Sequence, residues 1–224
     1  MDKAKLLKDG LIKFIVGLVF IALIIFIPAG TLNYPKGWLF MALLFVPILI
    51  MGIVLYLYSP NLLAKRLQNK EKEKAQQGFV KLSGLIIMTA FIISGLDYRY
   101  GWSNVPMVVT AIGAVLMEIG YLIFAIVMKQ NEYLSRIVEV QQGQKVVDTG
   151  LYSIVRHPMY MGAIIMFVPM PLVLGSYFGF LVFLVYPLCF VQRIKNEEMV
   201  LEKGLEGYSE YKKKVKYRLI PKIW

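Results

Sequence analysis

Two short stretches hold the side chains best suited to chemistry. "SIVRHPMYMG" carries Arg156, His157 and Tyr160, and "RIKNEEM" carries Arg193, Glu197 and Glu198. His157 is the single histidine of the chain, and with Arg156 it directly precedes Pro158, where a long apolar run begins. Proline suits the first turn of a helix, because it has no N–H to satisfy there and its φ is already helical. Arg156 and His157 then lie at a helix N-terminal mouth, where unpaired N–H groups and a partial positive charge favour anions. An interfacial Arg–His pair before a helix-start proline is an equally simple reading of the same residues. Arg193 and Glu197 are four apart, on one face of a helix. A glutamate doublet near a helix start is more often solvated, so this stretch alone also leaves both readings open.

The elements that must position these residues are membrane helices. Apolar residues make up 58% of the chain, above the roughly 45–50% of soluble domains, and mean hydropathy is +0.63. Six apolar segments follow, at about Leu11–Ala29, Trp38–Tyr58, Val80–Leu96, Val105–Met128, Pro158–Leu174 and Ser176–Val191. Most approach or exceed the roughly 18 residues needed to cross a hydrocarbon core. The fold class is therefore an all-α, polytopic membrane helical bundle of about six segments with a C-terminal cytosolic helical tail. Only Gly175 separates the last two segments, which implies a helical hairpin. At 1.5 Å per residue the two arms are each about 25 Å long, so their distant ends should finish at similar depth. Arg193, Glu197 and Glu198 then come within reach of Arg156, His157 and Tyr160 across the hairpin.

Charge sets the orientation. Of the 25 Lys and Arg residues, 23 fall in the N-terminal tail, the 64–81 and 129–157 loops and the C-terminal tail, leaving Lys36 and Arg99 on the other side. The positive-inside rule puts both termini and the polar stretches in the cytoplasm. The net charge of +11 thus reflects topology, with a lipid bilayer as partner and no nucleic acid. The lone Cys189 allows no intrachain disulfide, and one His with one Cys makes no zinc site. The apolar run after the basic N-terminus is long and lacks a small-residue cleavage pattern, so it is a retained first span. The short aromatic loops "TLNYPKGW" and "DYRYGWSN" suit interfacial anchoring. The Lys/Glu-rich stretch Lys65–Lys81 is simplest as a solvated loop or helix extension. With no internal repeat and no second soluble domain, the chain divides into residues 1–128, four membrane helices, and 129–224, a core holding the loop, hairpin and tail.

Two features remain ambiguous. The segment "QQGQKVVDTGLYSIVRHP" has no strong helical period, and its Gln144, Gly150 and Tyr152 fit either a loop over a ligand or an ordinary connector. Glu118 lies within the fourth apolar segment, where it lines a cavity or is satisfied by a neighbouring helix.

"GQKVVDTGLYSIVRHPMYMG", the apolar hairpin and "RIKNEEMVLEKGLEGYSEYKKKVKYRLIPKIW" together resemble the isoprenylcysteine carboxyl methyltransferase family, within the wider group that includes phospholipid N-methyltransferases. The similarity covers roughly the last 90 residues, through RHP-x-Y-x-G, the Arg-x-x-x-Glu-Glu spacing and the Tyr/Val/Arg/Pro tail. It implies a cytosol-facing S-adenosylmethionine site built on membrane helices. The lack of any G-x-G-x-x-G after a strand agrees with that. Arg156, His157, Pro158, Tyr160 and Gly162 match the family's cofactor motif. Glu197 and Glu198 match its acidic pair, and Arg193 matches the arginine expected near the acceptor, which makes Arg193 and Glu197 the catalytic candidates. Gln144 and Tyr152 are weaker carry-overs from the flanking loop.

The chemistry is consistent with that cofactor. A helix mouth with His157 suits a carboxylate, and the glutamates suit cationic or hydroxyl groups through charge-assisted hydrogen bonds. Arg193 can hold a carboxylate acceptor bidentately, whereas an amine acceptor would call on a glutamate to remove its proton. Two alternatives stand beside this one. Membrane sterol reductases, which use NADPH, share the tail pattern but usually carry a cysteine before a Lys-Tyr-Gly stretch, and "NEEMVLEKGLEGY" has none. The other is a non-enzymatic transporter or scaffold. The expected acceptor is lipophilic, either the carboxylate of a prenylcysteine-like molecule or a lipid headgroup.

Overall fold

A computed structural model describes residues 3–67, 74–135 and 138–224. All regular structure among the described residues is helical. Four long helices come first: α1 (Lys3–Ala29), α2 (Pro35–Tyr58), α4 (Lys74–Tyr100) and α5 (Met107–Gln130), with the short α3 (Pro60–Leu67) between α2 and α4. The C-terminal part holds a 3₁₀ turn (Gly150–Ser153), then α6 (Pro158–Phe167), α7 (Met170–Leu174), α8 (Tyr177–Phe183), α9 (Tyr186–Gly204) and α10 (Tyr208–Lys214). Five stretches are long and apolar enough to cross a membrane: Lys3–Ala29, Pro35–Tyr58, Gln77–Tyr100, Met107–Gln130 and Tyr177–Gly204. Pro158–Leu174 is a shorter apolar arm beside them. Their outward faces remain apolar, as at Ile27, Val108 and Leu122, which are more than 60% exposed. Such a surface is stable against lipid rather than water, and the chain is an integral membrane protein.

Proline and glycine punctuate the bundle. Pro35 and Pro158 each open a helix in its first turn, as their missing N–H allows. Gly175 sits at φ 85°, a left-handed conformation that a side chain would strain, and it turns the chain from α7 into α8. The hairpin expected there is present, but its arms are unequal. The outgoing arm breaks at Val168–Pro169, and the returning arm continues to Gly204, thirteen residues past the last expected apolar position. It continues because Arg193–Lys203 contains good helix formers and no breaker. Of the two readings of Lys65–Lys81, helix extension is the one found where the stretch is described. Lys65 and Arg66 close α3, which tucks Leu62 inward, and helix resumes by Lys74. The middle of that stretch, 68–73, lies outside the described residues.

The core is one apolar cluster running the length of the bundle, with Phe40, Phe91, Met117, Met170 and Phe183 fully buried. Small residues let the helices approach. A Cβ on Gly95 of α4 would stand 2.5 Å from the Ile25 carbonyl oxygen of α1, and one on Gly120 of α5 would overlap Met166 of α6. Close backbone approach through small residues is the usual route to tight packing in lipid, where the hydrophobic effect adds little between helices.

At the bundle end away from both termini, a polar knot ties the loops together. Asp97 is 1% exposed and accepts from the Ser103 amide and hydroxyl, each at 2.6 Å, and from the Ser176 hydroxyl at 2.5 Å. Tyr34 stacks on Tyr98 at 3.9 Å and donates to the Leu174 carbonyl at 2.5 Å. Lys36 donates to the Val105 carbonyl at 2.7 Å. These bonds fix the turn at Gly175 and hold the hairpin against α2 and α4.

Candidate active site

At the other end, the C-terminal tail runs past the mouth of α6. The Arg156 amide donates to the Tyr217 carbonyl and the His157 amide to the Arg218 carbonyl, both at 2.9 Å. Pro158 has no N–H to offer, so the chain itself satisfies much of what a helix mouth presents. The Arg156 guanidinium is also engaged: Nη1 donates to the Val215 and Lys216 carbonyls at 2.7 and 2.8 Å, and Nε donates to Glu198 Oε1 at 2.7 Å.

Glu198 is the hub of this arrangement. Its Oε1 also lies 3.3 Å from His157 Nε2, and its Oε2 accepts from Arg218 Nε at 3.0 Å. Arg156, His157 and Glu198 are each at most 6% exposed. Buried charges are tolerated when paired and hydrogen-bonded, and this carboxylate joins α9, the α6 mouth and the tail in one network.

Glu197 has a different environment. Its Oε2 accepts a short hydrogen bond from the Tyr160 hydroxyl, which in turn accepts from Arg193 Nε at 2.9 Å. Its Oε1 lies 4.0 Å from His157 Nδ1. The His157 ring is stacked with that of Tyr160, with centroids 5.6 Å apart, and the Arg193 guanidinium lies 4.7 Å over the Phe79 ring. This second row faces a cavity of about 1010 Å³ that reaches from the polar cluster to apolar residues of α1, α2 and α4, among them Phe14, Phe45, Leu49 and Phe79.

Eight of the ten residues singled out from the sequence line that cavity: Arg193 and Glu197, Arg156 to Pro158, Tyr160, and Gln144 and Tyr152 of the flanking loop. Glu198 and Gly162 do not. Gly162 faces α5 instead, where a Cβ would meet Ile123 at 2.7 Å, so it serves the close α5–α6 contact. Gln144 accepts from the Gln141 amide at 2.9 Å, shaping its own turn. The Tyr152 hydroxyl accepts from Asn131 Nδ2 at 3.0 Å, and its carbonyl accepts from the Tyr211 hydroxyl at 2.7 Å. The 3₁₀ turn is thereby fastened to α5 on one side and α10 on the other. Gly150 starts it at φ 59°, packed against Gln130. Burial holds the Tyr152, Tyr208 and Tyr211 phenols above the ordinary tyrosine range, so all three are neutral hydroxyls.

Sequence reasoning missed several contributors. Arg218 falls in a tail pattern that carried no assigned role, although a buried carboxylate facing two arginines is what makes the hub balance. Arg66 and Tyr133 line the cavity from α3 and the 131–135 turn, but they were obscured by a charge-rich run and an aperiodic segment. Phe79 sits on an apolar helix where any aromatic reads as core. Glu118 does not reach this cavity. It borders a shallow groove between α2 and α5, and its Oε1 has no hydrogen-bond partner among the described residues.

A polar cluster opening into a large, mainly apolar cavity is a concave site of the kind that holds small molecules. Residues 109–203, from α5 through most of α9, match the isoprenylcysteine carboxyl methyltransferase family model. No curated protein matches the chain.

Proposed function

We propose that the protein is an S-adenosylmethionine-dependent methyltransferase whose acceptor is lipophilic, either the carboxylate of a prenylcysteine-like molecule or a lipid headgroup. The carrying observation is one continuous cavity of about 1010 Å³, which joins charged groups at one end to apolar helix faces at the other. A donor with cationic, anionic and hydroxyl groups fits the charged end, and a hydrocarbon chain fits the apolar arm. The half-exposed side of Glu197 is free to accept from an amine or hydroxyl of the donor, and His157 stands beside it. Glu198 acts from behind, holding Arg156 and His157 in place. Arg193, oriented by Tyr160 and Phe79, is suited to steer an anionic acceptor. The bound donor would supply a sulfonium methyl, whose transfer to an anionic oxygen returns the S–C bonding pair to sulfur and needs no proton.

The remaining task is alignment and exclusion of water, which accounts for a large part of the barrier in such displacements. Residues 138–157 and α10, which wall the charged end, serve that task. The Lys/Arg distribution supports a cytoplasmic position for both termini and for the charged end, where the donor is available. In this reading residues 129–224 form the methyltransferase core, and the helices of 1–128 supply the acceptor's apolar environment. Calorimetric titration of the detergent-solubilised protein with S-adenosylhomocysteine and with NADPH tests the proposal. Binding of the former is expected. Binding of NADPH alone would replace this reading with a reductase.

A further inference from the structure

Arg193 and Glu197 are four residues apart on α9, the spacing at which opposite charges on one helix face reach each other. The structure interposes a third group. Arg193 Nε donates to the Tyr160 oxygen at 2.9 Å, and the Tyr160 hydroxyl donates to Glu197 Oε2. Among the described residues Glu197 is ion-paired with His157 Nδ1, at 4.0 Å, and not with Arg193. One oxygen, carried by α6 on the opposite arm of the hairpin, therefore stands between a cation and an anion of α9.

A phenol suits that place because it has one proton to give and lone pairs with which to accept. Both bonds form at once, and their direction is fixed. The Tyr160 ring is stacked with His157 and packs on Phe190, with centroids 5.2 Å apart. The oxygen is thus held by neighbours other than the two charges it separates. Without it, the stronger bond open to Arg193 and Glu197 is the charge-assisted fork of guanidinium on carboxylate. That fork would occupy both charged groups at the cavity wall, which all three side chains line.

We infer that Tyr160 is a positioning residue, whose hydroxyl keeps Arg193 and Glu197 from neutralising each other. One cavity can then present an anion to a cationic group of the donor and a cation to an anionic acceptor. The inference rests on the reading proposed above and adds to it the device that keeps the two half-sites apart. Tyr160 acts through its neighbours and needs no contact with either reactant.

A double-substitution cycle tests this. Purified full-length protein in detergent is titrated calorimetrically with S-adenosylhomocysteine as the native protein, Tyr160→Phe, Arg193→Met and the double variant, and each is melted without ligand. Tyr160→Phe should bind about tenfold more weakly, because Glu197 then turns to Arg193. In the Arg193→Met background the same substitution should change affinity by less than about twofold, since no guanidinium is left to capture the carboxylate. Tyr160→Phe should melt close to the native protein, because one pairing replaces another. A role in packing, or direct contact with the donor, would weaken binding by the same factor in both backgrounds, and that result would overturn the inference. So would unchanged affinity in Tyr160→Phe. A Tyr160→Phe protein that does not fold would also overturn it, by making the hydroxyl a fastening of the hairpin. Failure of the native protein to bind S-adenosylhomocysteine is a separate result, which removes the proposed donor and this inference with it.

Discussion

Asp97 and Glu198 are buried carboxylates at opposite ends of the same hairpin, and their surroundings differ in kind. Asp97 receives an amide and two hydroxyls, all neutral donors from short loops. Glu198 receives two arginines and lies against a histidine. The first cluster tightens a turn. The second is bordered by a large cavity and by a neighbouring glutamate that faces that cavity. Both ends are fastened, but one of them is also left open on one side. A fully satisfied knot accounts for itself by stability alone, whereas a charged row open onto a cavity is placed to meet a ligand.

The sharpest way to break this comparison is to remove each hub. Glu198→Ala leaves the buried Arg156 without its carboxylate and beside the partly exposed Arg218, and breaking such a buried ion pair costs about 3–5 kcal/mol. Thermal unfolding in detergent should show that loss, together with loss of S-adenosylhomocysteine binding, because Arg156 and His157 lose their anchor. A variant as stable as the native protein would mean the cluster is not the fastening described. Asp97→Ala should cost less, about 3 kcal/mol, since it strands only neutral donors and water entering at the bundle end can replace much of its three hydrogen bonds. Its S-adenosylhomocysteine affinity should be unchanged in the protein that remains folded. A parallel fall in affinity would show that the two ends are coupled through the hairpin.

How these hubs divide their roles was only partly legible in the sequence. The hairpin was legible because Gly175 is a strong punctuation mark between two apolar runs, and the α6 start because Pro158 allows only a few backbone settings. The meeting of Arg156 with Glu198 followed from those two facts, even though the arms proved unequal. The division within the Glu197–Glu198 doublet did not follow. Adjacent helical residues point about 100° apart, so one must face the cavity and the other the tail. Which does which depends on the rotation of α9, set by packing of Phe190 and Ile194 in the core. The 141–158 segment gave no periodic signal because it is held by single side-chain bonds, such as Asn131 to Tyr152, rather than by a repeating pattern. The hidden helix α3 and the role of Arg218 depend on contacts between residues far apart in the chain.

Glu197→Gln sharpens the contrast from the other side. The amide oxygen can still accept from Tyr160, so unliganded stability should change by less than about 0.5 kcal/mol. Affinity for S-adenosylhomocysteine should fall about tenfold, the loss expected when a charged acceptor becomes neutral. Calorimetry together with melting separates the two quantities. Lost stability with retained affinity would make Glu197 a second fastening like Glu198, and the cavity would lose its best candidate for donor recognition.

The smallest effect concerns the edge of the open end. Lys214 of α10 donates to Asp148 of the flanking loop at 2.8 Å on the surface, and this hydrogen bond, followed by the lysine's charge, lowers the Asp148 pKa. A carboxyl whose folded pKa lies below its unfolded value near about 3.9 stabilises the fold above that value. The contribution is lost as pH falls through the folded pKa. Melting curves of the native protein and Lys214→Met should therefore differ slightly at neutral pH and converge in acid. Because the pair is exposed, the gap should also close when salt is raised at neutral pH. A gap that survives both treatments would locate the contribution of Lys214 in the packing of its alkyl stem, and the loop would then be held over the cavity by apolar contact instead of charge.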